Sequence, residues 1–175
     1  MLKILRVLNQ NQEPDQSSVQ EMKQEVPPEG LKITSTEREY IKKISPLIGS
    51  TPRTIKRFIN IYRLIRAHQD LSGIDEDKEY LIVIFILAMH LGVCKEKADD
   101  LFYKMREITG STLIYILDLL GGDVFEDIRD HLKSAGFQDL LNAEAGAFVE
   151  YLSFVRRFSF NAIDEPIPMI QKTRN

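Results

Sequence analysis

Cysteine, tryptophan, glycine and proline are all scarce in this chain of 175 residues. It has one cysteine, Cys94, and no tryptophan, with nine glycines and seven prolines. A single cysteine excludes an intramolecular disulfide and a cysteine-rich zinc site. The low glycine and proline content excludes a collagen-like chain, and an apolar content of 43% excludes a wholly disordered one. The class that remains is an ordinary globular chain of about one domain.

The chain also lacks an apolar run long enough to cross a membrane. Its longest apolar stretch, residues 80–93, falls short of the roughly 20 residues that a transmembrane helix needs. Residues 1–8 are too short for a signal peptide, and Lys3 and Arg6 interrupt them. We interpret residues 80–93 as a buried core helix rather than a membrane-dipping segment. We therefore expect a cytoplasmic protein with no transmembrane segment.

Positive charge is not in excess either, and no catalytic motif is present. The net charge of −3 argues against an overall basic nucleic-acid binder but leaves room for a local basic patch. The sequence has no P-loop, no glycine-rich dinucleotide fingerprint and no nucleophile elbow.

His90 and Cys94 have a spacing compatible with a metal on one helix face, but two ligands do not make a site. We interpret them as core residues, predict no metal ligands, and do not expect an enzyme acting alone.

Composition divides the chain into three parts. Residues 9–30 are polar and end in Pro27-Pro28, so they offer few apolar groups to offset the entropy lost on ordering. We predict an N-terminal arm or linker over residues 1–30, disordered or extended. A helical domain is predicted over residues 31–162, followed by an irregular tail over residues 163–175.

Within the predicted domain, apolar residues recur at helical spacing and no segment alternates as a strand does. The pattern predicts an all-α fold of about seven helices in a compact, bundle-like domain. Thr34 with Glu37, and Thr36 with Glu39, each fit a capping box at the start of the first helix. Asn142 is the expected cap of the last helix.

The second helix has the clearest local signals. Ser50 or Thr51 is the expected N-cap, and Pro52 suits the first helical position. The predicted apolar stripe consists of Ile55, Phe58, Ile59, Tyr62 and Ile65. The predicted basic residues of this helix are Arg53, Lys56, Arg57, Arg63 and Arg66, with no acid between the first and the last.

Three interpretations of these basic residues remain open. They could face phosphate, because arginine forks bind phosphate oxygens and Arg53 lies at a helix N-terminus. They could form a recognition helix on DNA, after a preceding helix and a turn. They could also form an ordinary solvated or salt-bridged face. A second charged face, Asp123, Glu126, Asp127 and Asp130, is interpreted as solvated or as the intramolecular partner of the basic helix rather than as an acid–base pair.

The segment from Ser50 to Leu64 resembles a signature of KAP-type P-loop NTPases, T-P-R-x-[IVL]-K-R-F-[IV]-N-x-Y-R. In that family the signature lies in the helical region that follows the nucleotide-binding core. The segment from Leu31 to Ile48 resembles the helix before the signature, and Tyr151 to Phe160 resembles the closing V-x-R-F-S-F stretch. The resemblance spans about residues 31–160, whereas the Walker A and Walker B motifs of the family are absent from this chain.

The resemblance implies a non-catalytic, lid-like helical domain that acts with a separate or missing ATPase core, in cis or in trans. Arg53 and Arg57 would be sensor-like residues facing the nucleotide phosphates. The matching motif residues that would support them are Pro52, Lys56, Phe58, Asn60, Tyr62 and Arg63. ATP and Mg²⁺ would then bind only with that core, and any membrane association would be peripheral and through a partner. The alternatives are a nucleic-acid-binding helical protein that uses residues 52–66 and a protein-interaction module.

Overall fold

The computed structural model describes residues 32–68 and 79–159, and the described residues are helical, without a β-strand. The predicted arm (residues 1–30) and tail (residues 163–175) lie outside these ranges. In chain order the described helices are α1 (Ser35–Ile48), α2 (Pro52–Ala67), α3 (Glu79–Leu91), α4 (Lys95–Glu107), α5 (Leu113–Leu120), α6 (Asp123–Ser134), α7 (Gln138–Leu141) and α8 (Ala145–Ser159). The all-α prediction is confirmed.

The first two helices begin where their capping residues predict. The Thr34 hydroxyl accepts the Glu37 backbone N–H at 3.2 Å, and the Thr34 N–H donates to Glu37 Oε2 at 2.7 Å. Of the two candidate capping boxes, the structure therefore uses the first. Thr51 accepts the Thr54 N–H at 3.2 Å and Pro52 occupies the first position of α2, both as expected.

Helix α3 is the centre of the core. Every residue from Tyr80 to His90 is buried, because α1, α2, α4 and α8 all pack against this helix. A helix that is apolar all round needs such a covering on every side. The prediction of a buried core helix is confirmed. In the described ranges, no helix combines the length and the apolarity that crossing a membrane requires.

A close approach between α1 and α3 depends on Gly92. A Cβ atom at this position would lie 1.9 Å from the Leu47 carbonyl oxygen, so no other residue fits without a backbone shift. The next residue, Val93, donates its N–H to that same oxygen at 3.0 Å. The end of α1 is thereby tied to the end of the core helix.

One helix beyond the expected seven appears in the described residues. It is α7, a single turn, and four residues are too few to display a helical periodicity. Asn142 was predicted to cap the last helix, but this prediction is wrong. Asn142 ends α7 instead, donating its N–H to the Gln138 carbonyl at 2.9 Å, and α8 begins at Ala145.

Candidate functional site

Helix α2 presents a basic face to the solvent. With 100° between successive residues of an α-helix, seven of the exposed side chains fall within an arc of about 120°. They are Arg53, Lys56, Arg57, Asn60, Arg63, Leu64 and Ala67. The opposite side carries Phe58, Ile61, Tyr62 and Ile65, all buried. The four exposed cations thus lie together on the side that faces away from the core.

The predicted apolar stripe of α2 is wrong in part. Ile55 is 39% exposed, Ile59 is only partly buried, and Ile61 lies in the core in their place. Side chains of a helix lean toward its N-terminus, so a side chain in the first turn projects past the start of the helix. This direction leaves Ile55 with less of the core to cover it.

Arg66 does not belong to the exposed basic face. Its side chain is 7% exposed, and its Nε lies 2.9 Å from Glu37 Oε1, which is itself buried. Including Arg66 among residues available to nucleic acid is therefore wrong. Arg66 lies one turn after the buried Tyr62, about 40° from it around the helix axis, where Glu37 of α1 packs against α2.

Glu37 is the centre of a buried polar cluster that sequence reasoning missed. Its carboxylate is 1% exposed and accepts hydrogen bonds from the Tyr62 hydroxyl and from the Thr34 backbone N–H, in addition to pairing with Arg66. The sequence indicated Glu37 only as a capping-box residue, a role that an exposed glutamate performs equally well. The signal available was Tyr62 and Arg66, four residues apart on the inward side of α2.

The exposed cations of α2 have few intramolecular partners. Arg53, Lys56 and Arg63 form no ion pair with any residue in the described parts of the chain, and α2 contains no acidic residue. Asn60, on the same face, is exposed and makes no hydrogen bond with the described residues.

The structure thus brings the predicted residues Arg53, Arg57 and Asn60 together on one surface. It places Phe58 and Tyr62, also members of the motif, in the core.

The acidic residues of α6 do not neutralise this face. Asp123, Glu126 and Asp127 are exposed, and no ion pair joins α6 to α2 among the described residues. The fourth, Asp130, accepts a hydrogen bond from Arg129 Nε at 2.9 Å, which lowers the pKa of its carboxyl group. The acidic and basic faces are therefore separate surfaces, as the solvated interpretation of the acidic residues expects.

His90 and Cys94 lie at the edge of the core. The His90 ring is 7% exposed and stacks on Phe102 with ring centroids 5.0 Å apart. Burial lowers the pKa of His90 to about 4, assisted by the positive charge of Arg156 and opposed by Asp99. Burial also raises the pKa of the Cys94 thiol. In residues 32–68 and 79–159, no group of three or more His, Cys, Asp or Glu side chains is arranged to hold a metal ion.

A depression of about 530 Å³ lies between α4 and the turn that joins α5 to α6. Apolar side chains line part of it, including Tyr103, which is 62% exposed, and Val124, which is 37% exposed. Its lysines are already engaged, since Lys97 lies 3.4 Å from Asp100 and Lys104 lies 2.7 Å from Glu107. An interaction module needs an exposed apolar surface of this kind.

The chain has no significant match among protein-family models, curated proteins or solved structures.

Proposed function

We propose that this chain is a non-catalytic, lid-like helical domain of the KAP type, and that α2 presents Arg53 and Arg57 to nucleotide phosphates held by a separate P-loop core. The observation that carries the proposal is the position of Arg53. It follows Pro52 in the first turn of α2, it is exposed, and it has no ion-pair partner in the described residues. Its charge is therefore available to an anion from another domain.

The N-terminus of α2 has the chemistry that a phosphate needs. Pro52 has no N–H, the Thr54 N–H donates to the Thr51 hydroxyl and the Ile55 N–H to the Thr51 carbonyl. Among the described residues, the N–H that the first turn leaves for an anion is therefore that of Arg53, where the helix dipole also places partial positive charge. An arginine fork adds two parallel donors that fit phosphate oxygens. When the core closes on the lid, exclusion of water strengthens these interactions further. Arg57, one turn later on the same face, would contact the same polyphosphate.

The proposal assigns the chemical step to the core rather than to this chain. In P-loop NTPases the Walker motifs hold Mg²⁺-ATP, and this sequence does not contain them. Arg53 and Arg57 would stabilise negative charge that develops on the phosphates and would report the state of the nucleotide to the helices behind α2. We place the domain in the cytoplasm. Any association with a membrane would be peripheral and through its partner.

Substitution of Arg53 tests the proposal. A KAP-type core with Walker A and B motifs is mixed with this chain, and ATP hydrolysis is measured. A charged hydrogen bond to phosphate contributes about 1.5–3 kcal/mol, so Arg53→Ala should lower the chain-dependent ATPase rate roughly tenfold or more. Arg106→Ala, an exposed arginine on α4, is the matched control and should leave the rate unchanged. A wild-type rate for Arg53→Ala would refute the phosphate role.

A nucleic acid is the second candidate partner, favoured by the extent of the basic face. Arg53, Lys56, Arg57 and Arg63 span about 15 Å along α2, at 1.5 Å per residue. This length exceeds the span of the phosphates of one nucleotide and matches a series of backbone phosphates instead. Such binding depends on counterion release and weakens as salt is added.

A further inference from the structure

The buried cluster of Glu37, Tyr62 and Arg66 joins two helices through one carboxylate. Glu37 belongs to α1, whereas Tyr62 and Arg66 lie one turn apart on α2. All three side chains are buried, at 1%, 0% and 7% exposure. The Thr34 N–H holds the second carboxylate oxygen at 2.7 Å, so the carboxylate is itself fixed by the capping box of α1.

The cluster lies on the side of α2 that is opposite to the basic face. Arg53 is nine residues before Tyr62, which places it about 180° around the helix from the tyrosine. Arg57 is about 140° away by the same rule. Any rotation of α2 about its axis that would break the contacts to Glu37 would also turn these arginines away from their present direction.

A buried ion pair is a poor source of stability, because desolvation of the two charges offsets most of their attraction. Apolar residues of similar size would hold α1 and α2 together about as well. What they would not supply is direction, since the Tyr62 hydroxyl reaches Glu37 Oε1 in a hydrogen bond at only one rotation of α2. Arg66 Nε lies 2.9 Å from the same oxygen as a charge partner, without the alignment of a hydrogen bond. The apolar side chains Phe58, Ile61 and Ile65 alone would tolerate a range of rotations.

We infer that Glu37 is a positioning residue that fixes the rotation of α2 and thereby aims Arg53 and Arg57. The consequence for nucleotide phosphates rests on the proposed function, whereas the positioning of α2 does not. Glu37 acts through Tyr62 and Arg66 and contacts no ligand. Its role is to fix one orientation of the basic face, which apolar packing between α1 and α2 does not specify.

Distances between spin labels test this inference. Labels are attached at Leu64→Cys on α2 and Glu126→Cys on α6, both exposed positions, in a Cys94→Ala background. The test variant combines Glu37→Met, Tyr62→Phe and Arg66→Met, which removes both charges of the Glu37–Arg66 pair. A turn of α2 by about 40° would move a label on its surface by roughly 4 Å. We expect a folded protein whose distance distribution is displaced or broadened by that amount.

Two further variants make the result decisive. Glu37→Gln with Arg66→Met removes both charges; the amide oxygen can accept the Thr34 N–H while the amide NH2 donates to the Tyr62 hydroxyl oxygen. This variant should retain the narrow wild-type distribution. Tyr62→Phe removes a single hydroxyl, keeps the fold, and should widen the distribution if the triple variant does not fold. Wild-type distances in Tyr62→Phe, or in a folded triple variant, would overturn the inference.

The ATPase measurement separates this inference from the proposed function. The chain-dependent ATPase rate of the triple variant should be at least fivefold lower than that of the wild type, because Arg53 and Arg57 would no longer face the phosphates. If Arg53→Ala leaves the rate unchanged while the triple variant displaces the label, the proposed function fails and the positioning role of Glu37 stands. If Arg53→Ala lowers the rate while the label distances never change, the positioning role fails and the proposed function stands.

Discussion

Individual residues in this protein owe their properties to burial more than to the motif in which they occur. Arg66 and Arg63 are three positions apart in one basic segment, yet Arg66 is buried against Glu37 whereas Arg63 is exposed. Local sequence could not distinguish them, because the pairing of Glu37 with Arg66 depends on how α1 and α2 meet. By contrast, the Thr34 and Thr51 caps involve residues three apart and were predictable from the sequence.

The burial of His90 predicts that the stability of the protein depends on pH. Its pKa falls from the usual 6.5 to about 4 on folding, so the unfolded chain binds the proton more tightly than the native one. The stability that neutral His90 supports is present above pH 6.5 and is lost as the pH falls from 6.5 toward 4. At pH 5 the loss should be about 2 kcal/mol.

Denaturant unfolding at pH 7.5 and pH 5 checks this prediction. His90→Leu removes the titrating group, so the loss of stability between the two pH values should shrink by about the same 2 kcal/mol. His131→Leu is the control, because His131 lies outside the core, with Nε2 3.0 Å from the Lys43 carbonyl oxygen. An equal pH dependence in wild type and His90→Leu would contradict the assignment.

Whole helices were predicted well from the sequence when they were long and capped. The buried helix α3 and the capped helices α1 and α2 fall where their patterns indicate. Helix α7 was missed because one turn has no periodicity. At the candidate site, the sequence predicted Arg53 and Arg57, and the structure places both on the exposed face of α2. The sequence did not identify the cluster around Glu37, since the spacing of Tyr62 and Arg66 within α2 does not show which residue of another helix lies against them.

The exposed face of α2 yields a prediction about nucleic acid. Its four exposed cations set an upper limit of about four phosphates, so the logarithm of affinity for duplex DNA should fall with the logarithm of salt concentration with a slope near −3.6 at most. Arg63→Ala should reduce that slope by about one unit. Glu37→Gln combined with Arg66→Met should leave it unchanged, because Arg66 is buried and this variant leaves no unpaired charge at Glu37. Binding that is absent, or that does not respond to salt, would exclude this partner.

At the scale of the whole molecule, charge is divided between two parts of the chain. Residues 32–68 carry nine basic and two acidic side chains, a net +7, whereas residues 79–159 carry eight basic and thirteen acidic ones, a net −5. Such a division creates a field that orients an approaching anion toward the positive part. The basic face of α2 belongs to that part, so the charge distribution and the local geometry favour the same ligand chemistry.

A photoreactive ATP analogue, with its reactive group on the γ-phosphate, tests whether the N-terminus of α2 faces the nucleotide phosphates. The analogue is bound with Mg²⁺ to the complex of this chain with a KAP-type P-loop core, activated by light, and the labelled residues are found by mass spectrometry. We predict labelling of this chain within residues 51–57, around Arg53. Labelling confined to the core, or to a helix other than α2, would contradict it.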